Sequence, residues 1–361
     1  MKKAKIYFES FGHYHVDRCD AVDLLQDEIL LESIAIAASE STYKWVREVE
    51  SPHPNKTLFN VNRDDVSSFK ICCLICADLI KSKADFVFIP GYHRVYWVVL
   101  ALLAKAMSIK TILMLDSTID DKKRSAFSEF VKSILLKSYQ SAFVGGTKTI
   151  EYLKKLKFNG PIIDGFDAVD NDYFSSKRER KGSKFICISR LEEVKNVSGI
   201  LDAYSIYCKG RDNPRPLHII GDGSLRKDLE LQIKSLKLDN IVIMKGKLNR
   251  TEIKEEMNDS VALILFSNSE PWGLVVNESL SAGIPVITTD RVGSSCDLVF
   301  EGLTGSVIRH NDIESLAQEI SRYDEMSSAA WKYMSNQCVK TIDNYSLAKW
   351  VDKFVRICMN A

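Results

Sequence analysis

Two glutamates eight positions apart, in Glu270-Pro-Trp-Gly-Leu-Val-Val-Asn-Glu278, carry the clearest chemical pattern in this chain. The apolar run 261–266 before them predicts a buried strand. The stretch from Leu274 predicts a helix closed by Gly283, with Pro285 just beyond. Glu270 then falls in the strand-to-helix loop and Glu278 about one turn inside the helix. The helix start directs unpaired N–H groups between them. Carboxylates accept hydrogen bonds from hydroxyls and N–H groups favour anionic oxygens, so the expected ligand carries both hydroxyls and phosphates.

A second group is cationic. Ser189-Arg190-Leu-Glu-Glu-Val-Lys195-Asn196 follows another strand-like run, and Asn196 is a plausible N-cap for the next helix. Arg190 and Lys195 would share one strand-to-helix loop, a good setting for a diphosphate. Alone, the pattern is more simply two solvated surface cations. Gly221-Asp-Gly223 also follows a strand, and glycines let a backbone approach a ligand closely. It is a weak signal, since ordinary turns use it and the third glycine of the dinucleotide fingerprint is missing. Lys245-Gly246-Lys247 completes the series.

The elements that must position these residues alternate. Strand-length apolar runs at 5–9, 85–90, 111–116, 141–145 and 161–165 in the first half, and at 184–189, 217–221, 241–245, 262–266 and 285–289 in the second, are separated by segments of helical period. Such alternation predicts an α/β protein with parallel sheets and right-handed crossovers. The charged, aperiodic stretch 174–183 reads as a linker. The expected architecture is two doubly wound, Rossmann-like domains with a cleft between them and ligands at the carboxyl ends of the strands.

Composition agrees with two domains of ordinary size. The chain has 361 residues, 45% hydrophobic and 27% charged, and a net charge of +1 that gives no electrostatic basis for a nucleic-acid partner. Nine scattered cysteines, several inside apolar runs, suggest a reducing compartment. The apolar N-terminal stretch is short and interrupted by Glu9, unlike a signal peptide, and the apolar segment 95–107 is well short of the ~20 residues of a membrane span. The expectation is a soluble, cytoplasmic protein, with peripheral contact at the inner face of a membrane left open.

The order Arg190…Lys195, Gly221-x-Gly223, Lys245-Gly246-Lys247, Glu270-x7-Glu278 resembles the retaining glycosyltransferases of family 4, of the GT-B fold. Their signature includes an Arg-Leu-x-x-x-Lys-Asn step, a Gly-x-Gly turn and a Glu-x7-Glu stretch with Phe-Gly-Leu inside, where this chain has Trp272. The resemblance covers nearly all of residues 184–310. It implies a nucleotide-sugar donor, UDP- or GDP-linked, a saccharide or lipid-linked acceptor, no further cofactor and no metal. It assigns Glu270 to the donor sugar and Glu278 to the ribose. Arg190 and Lys195 go to the diphosphate, and the N–H groups of Gly273 and Leu274 to the sugar. Gly221, Gly223, Gly246 and Trp272 are placed around the donor, with Gly12 from the first domain. It implies a front-face displacement, and a role in assembling a cell-surface polysaccharide or glycolipid. The expected domains are 1–175, joined by a C-terminal helix over 345–361, and 176–344.

The first half departs from the family pattern. Gly12-His-Tyr-His15 stands where a Gly-Gly pair is common, and Asp116 stands where a His is common. His13, His93, Arg94 and Asp116 are the acceptor-side candidates. A capped helix with an aromatic core face explains residues 90–97 equally well. Asp170-Asn-Asp172 and His13-Tyr-His15 read as loop residues and not as metal ligands. Lys122-Lys-Arg124 with Phe127, Phe130, Ile134 and Leu135 predicts a basic amphipathic helix. Its apolar face is expected to pack into the domain, the competing reading being an anionic membrane surface. Two further readings of the whole chain are a nucleotide-sugar epimerase on the same fold and a catalytically silent nucleotide-sugar-binding scaffold.

Overall fold

The structure, a computed structural model, describes residues 1–40, 51–121, 124–176 and 181–360. The chain divides into two compact units, Met1–Asp170 with Tyr345–Ala361, and Asn171–Asn344. Each is built on one parallel sheet.

The first sheet holds β1 (Lys2–Phe8), β2 (Ile29–Ser39), β3 (Asn55–Asn62), β4 (Phe86–Pro90), β5 (Lys110–Leu115), β6 (Ser141–Val144) and β7 (Ile162–Ile163), in the order β3-β2-β1-β4-β5-β6-β7. The second holds β8 (Lys184–Ile188), β9 (Leu217–Ile220), β10 (Val242–Gly246), β11 (Ser260–Leu265), β12 (Val286–Thr289) and β13 (Gly305–Ile308), in the order β10-β9-β8-β11-β12-β13. Central strands such as Phe-Val-Phe-Ile and Ser-Val-Ala-Leu-Ile-Leu are buried along their length. That is what helices on both faces of a parallel sheet require. Strand order reverses between β1 and β4, and again between β8 and β11. At such a reversal the two crossover loops leave on opposite sides, and their strand ends frame a natural ligand crevice.

Three strands lie outside the expected set. β2 reads Ile-Leu-Leu-Glu-Ser-Ile-Ala-Ile-Ala-Ala-Ser, and its alanines have weak strand preference. β3 is a half-exposed edge strand rich in polar residues, and β13 is short and opens with glycine. The C-terminal helix Leu347–Asn360 belongs to the first unit. Trp350, Phe354, Ile357 and Cys358 share a core with Ala4, Ile6 and Phe8 of β1, and the Trp350 indole donates to the Phe166 carbonyl at 2.9 Å.

Two expectations need correction. The helix Ala126–Leu135 does not pack its apolar face inward: none of its ten described residues is buried. Lys122 and Lys123 lie outside the described residues, as do residues 177–180 of the charged linker. His13 and His15 are not loop residues but lie in the first turn of the helix His13–Leu25, and Asn171 and Asp172 begin the helix Asn171–Phe174.

One electrostatic knot secures the β8–β9–β10 side of the second sheet. Glu256 accepts from Lys245 at 2.8 Å, Lys184 at 2.9 Å and His218 at 2.7 Å. Burial alone would raise its carboxyl pKa, but hydrogen bonds from Lys245, Lys184 and His218 outweigh this and pull it down to about 2. A carboxyl lowered from its ordinary 4.5 stabilises the fold fully above that value, and the stabilisation is lost as pH falls through about 2. Glu256→Gln should cost about 1–3 kcal/mol at neutral pH, because the two ammonium groups and the His218 ring lose their shared partner while keeping some solvent. Urea melts of wild type and variant should converge as pH drops from about 4.5 toward 2. A constant gap over that window would refute this account.

Candidate functional site

β8 and β11 are hydrogen-bonded neighbours at the reversal in the second sheet. The loops leaving their carboxyl ends therefore start side by side, although Lys195 and Glu270 are 75 positions apart in sequence. After β8 the chain runs through Arg190 into a 3-10 turn, Glu193–Lys195. Asn196 then adopts a left-handed conformation (φ 50°), and its side chain accepts from the Gly199 N–H at 3.2 Å, capping the helix Val197–Cys208. After β11 the chain runs through Ser267 and Asn268 to Glu270. A backbone bond from Asn268 N–H to the Val194 carbonyl, 2.8 Å, locks the two loops together. The outcome is a direct ion pair between Lys195 Nζ and Glu270 Oε2. Lys195 is only 9% exposed and the Glu270 side chain 14%. An ion pair so far withdrawn from water is strong only if well formed, and costly to break from one side.

Gly273 stands at the start of the helix Leu274–Ser281 with φ +92°, a conformation that favours glycine. A side chain there would press on Glu270 Cγ at 3.2 Å and on Leu265 and Val292 at 3.3 Å. The helix start, with Leu274 as its first residue, thus sits against the Glu270 side chain. Glu278 is 4% exposed on the same helix. Trp272 is buried in the protein, its indole N–H donating to Asn277 Oδ1 at 2.9 Å.

Arg190 is exposed on the β8 loop and is not part of the Lys195–Glu270 pair; its charge acts on Glu192. Glu192 is held below its ordinary range by side-chain and backbone hydrogen bonds from Ser224, with a contribution from Arg190. Gly221 and Gly223 serve the packing of one loop on another. A Cβ on Gly221 would stand 2.9 Å from the Ser189 carbonyl carbon and closer still to its oxygen, and one on Gly223 would meet the Leu191 backbone at 2.5–2.7 Å. Leu191 N–H donates to the Asp222 carbonyl at 3.0 Å through that contact. Gly246 accepts from the Gly221 N–H at 2.8 Å. These glycines set the height of the loop that carries Arg190 and Lys195.

Several residues here escaped the sequence reading. The loop after β12 clamps the Glu270 loop: Glu270 N–H donates to the Arg291 carbonyl at 3.1 Å, Gly293 N–H donates to the Glu270 carbonyl at 2.8 Å, and the Ser294 hydroxyl donates to the Trp272 carbonyl at 2.8 Å. The signal that could have found it was the glycine at 293 following a strand-like run. The Ser267 hydroxyl and the Asn268 amide oxygen are buried with no hydrogen-bond partner among the described residues. Unpaired buried oxygens cost about 1–3 kcal/mol each, and both belong to the loop that leads to Glu270.

In the first unit, the reversal between β1 and β4 gathers a different group. Glu9, directly after β1, accepts from the Tyr96 hydroxyl at 2.7–2.8 Å and the Trp97 indole at 2.8 Å, with Arg63 at 3.4 Å and His93 at 3.7 Å. His93 is thus tied to Glu9, while Arg94 is an exposed N-cap of the helix Val95–Ala106. Sequence reading took Glu9 as a strand end and as the charge that interrupts the apolar N-terminal stretch. Gly12 is the N-cap of the helix His13–Leu25, and its N–H donates to His15 Nδ1 at 3.1 Å. Burial, with the charges of Arg18 and His13, lowers the His15 pKa to about 3, so this ring is neutral and serves as the acceptor. His13 lies against the Tyr14 ring at 3.8 Å. Asp116 is exposed beyond β5; burial, with a smaller contribution from the Asp116 charge and against the pull of Arg18, holds Asp167 above the usual carboxylate range. Among the described residues, no group of three His, Cys, Asp or Glu side chains could hold a metal, and no helix is long and apolar enough to cross a membrane.

Comparison with known proteins matches residues 169–337 to the family model described as glycosyl transferases group 1. Among curated proteins, the chain is 31% identical over 171 residues to the poly(glycerol-phosphate) alpha-glucosyltransferase of Bacillus subtilis, covering 47% of this chain and 25% of that one. It is 24% identical over 188 residues to the lipopolysaccharide 1,6-galactosyltransferase of Escherichia coli, covering 51% and 50%. The chain thus spans a quarter to a half of these relatives. Among solved structures, Anabaena HepE in complex with UDP superposes with a TM-score of 0.76 at 15% identity, covering 100% of both chains. The lipopolysaccharide outer core galactosyltransferase WaaB apo form superposes at 0.75 and 18%, covering 100% and 99%. The two Rossmann-like units make up a GT-B fold, and residues 169–337 match the glycosyl transferases group 1 family.

Proposed function

We propose that this chain is a retaining, family 4-type glycosyltransferase that moves a sugar from a UDP- or GDP-linked donor to a saccharide or lipid-linked acceptor, without a metal. The observation that carries the reading is the Lys195–Glu270 pair at the β8/β11 reversal, set against the helix start at Gly273. An ammonium, a carboxylate and unpaired helix N–H groups at one point suit a sugar joined to a diphosphate. Support also comes from the relatives, which are named for glycosyl transfer, and from the UDP bound in the Anabaena structure.

In this reading Lys195, with Arg190, takes the diphosphate, and Glu270 accepts hydroxyls of the sugar. Lys195 and Glu270 neutralise each other in the chain alone, and the donor's phosphate and hydroxyl groups replace that contact. Glu278 binds the ribose. The bond from the anomeric carbon to the diphosphate oxygen breaks with its electron pair going to the phosphate. The acceptor oxygen attacks from the same face, and its proton passes to the departing diphosphate. Charge grows on the phosphate as this happens, which is when a fixed cation helps most.

Incubation with radiolabelled UDP- and GDP-sugars, with and without lipid extract, tests the proposal. Acceptor-dependent label transfer is expected. Isomerised sugar nucleotide without acceptor would establish an epimerase, and binding without turnover a silent scaffold. Glu278→Ala should weaken nucleotide affinity by about 10-fold or more, since a buried charge-assisted hydrogen bond to the ribose is lost. Calorimetry giving an unchanged affinity would remove Glu278 from the ribose site.

A further inference from the structure

The turn after β13 reaches both loops of the candidate site. β13 runs beside β12 with Ile308 opposite Thr289, and the Asp290 N–H donates to the Ile308 carbonyl at 2.9 Å. Beyond it Arg309-His-Asn-Asp312 folds back. The Asp312 N–H donates to the Arg309 carbonyl at 3.2 Å, and the Asp312 side chain caps the helix Ile313–Glu325. Asn311 is left-handed at φ 60°, which asparagine tolerates better than most residues. Its Oδ1 accepts from Asn196 Nδ2 at 3.1 Å. Asn196 directly follows Lys195, is itself left-handed, and accepts the Gly199 N–H on its own Oδ1. Both ends of that amide are engaged, one on the helix it caps and one on Asn311. His310, one residue earlier, holds the other loop. Its N–H donates to Asp290 Oδ1 at 2.8 Å, its Nδ1 lies 2.9 Å from the same oxygen, and Arg291 Nε lies 3.3 Å from that Nδ1. Burial would raise the Asp290 carboxyl, but the hydrogen bonds from His310 hold it below its ordinary range. Arg291 in turn receives the Glu270 N–H on its carbonyl, and Val292 is bridged to Glu270.

Two successive residues of one turn thus hold the Lys195 loop and the Glu270 loop. In the chain alone the Lys195–Glu270 ion pair ties the same two loops. A donor that takes Lys195 on its phosphates and Glu270 on its sugar replaces that tie at the moment when spacing matters most, since a misplacement near 1 Å costs about 100-fold in rate. Bonds that the donor does not displace must then keep the distance. The Asn268 N–H to the Val194 carbonyl is one, and the contacts of His310 and Asn311 are the others. We infer that His310 and Asn311 are positioning residues of the donor site, which keep the Lys195 and Glu270 loops at one spacing while the donor replaces the ion pair. The positioning role rests on the glycosyl-transfer reading above; the bracing of the two loops does not.

Hydrogen exchange of the full chain, read by mass spectrometry, tests the bracing without donor or acceptor. Asn311→Gly removes the accepting oxygen and keeps the left-handed turn, so the segment 193–199 should exchange about threefold faster or more, the worth of one partly solvated hydrogen bond. His310→Ala should do the same for the segment 289–294, which carries the clamp on Glu270. Asn311→Asp keeps the accepting oxygen and should exchange as wild type does. Segments of the first sheet should be unchanged in all three variants. In the double variant His310→Ala, Asn311→Gly, sugar transfer from labelled donor should lose about tenfold or more in kcat, with the donor KM within about threefold of wild type. Unchanged exchange in both segments, or equally faster exchange across the whole second unit, overturns the bracing. Local loosening with an unaltered kcat overturns the positioning role. A wild type that transfers no sugar refutes glycosyl transfer and the positioning role with it, while the exchange result still decides the bracing.

Discussion

Replacing Lys195 by alanine should lower turnover by about 100-fold or more, the loss associated with one preorganised charge contact to a leaving group, or about 2.7 kcal/mol of transition-state stabilisation. The structure adds a second consequence. Glu270 keeps its largely buried carboxylate and loses its cation, so the variant should also be less stable by about 1–3 kcal/mol. The two effects separate in the double variant Lys195→Ala, Glu270→Gln. A neutral amide no longer needs a counter-charge, so stability should largely return. Turnover should not, because the diphosphate still lacks its cation and the sugar its carboxylate. If Lys195 served only to neutralise Glu270, the double variant would turn over as fast as Glu270→Gln alone, and the diphosphate role would fall.

What the sequence disclosed depends on how each feature is encoded. β8 and β11 are continuous apolar runs, and the helices after them have caps, so their existence and direction were readable. The neighbouring ends of β8 and β11 follow from a parallel sheet with a strand-order reversal, so a meeting of the Lys195 and Glu270 loops was also within reach. The clamp from Arg291, Gly293 and Ser294 was not, because its bonds all end on backbone carbonyls, two from backbone N–H groups and one from a serine hydroxyl, and leave no sequence signature beyond one glycine. Glu9 was missed for a related reason. Its partners, Arg63, His93, Tyr96 and Trp97, come from the ends of other strands and from one helix, and no local spacing joins them. Trp272 shows the opposite limit. Its place inside a motif pointed toward ligand, whereas its indole is spent on Asn277 inside the protein.

The clamp supplies the other large expected effect. A Cβ on Gly293 would stand 2.6 Å from the Pro271 carbonyl carbon, nearer still to its oxygen, and 3.0 Å from Trp272 Cα. These are backbone atoms of the loop that carries Glu270, and backbone cannot rotate aside as a flexible side chain does. Gly293→Ala must therefore push residues 270–272 away and break the bond from Gly293 N–H to the Glu270 carbonyl. A cost of about 3 kcal/mol is expected, lowering the melting midpoint by about 6–12 °C. At a temperature where the variant is still folded, its turnover should fall by about 100-fold or more, since a displacement near 1 Å of a positioned group costs that much. Gly302→Ala is the control. Gly302 has φ +70° but nothing within 4 Å of a Cβ, so only backbone strain of about 1 kcal/mol applies and turnover should stay close to wild type. Equal behaviour of the two variants would mean that the Glu270 loop does not depend on the strand-β12 clamp for its position.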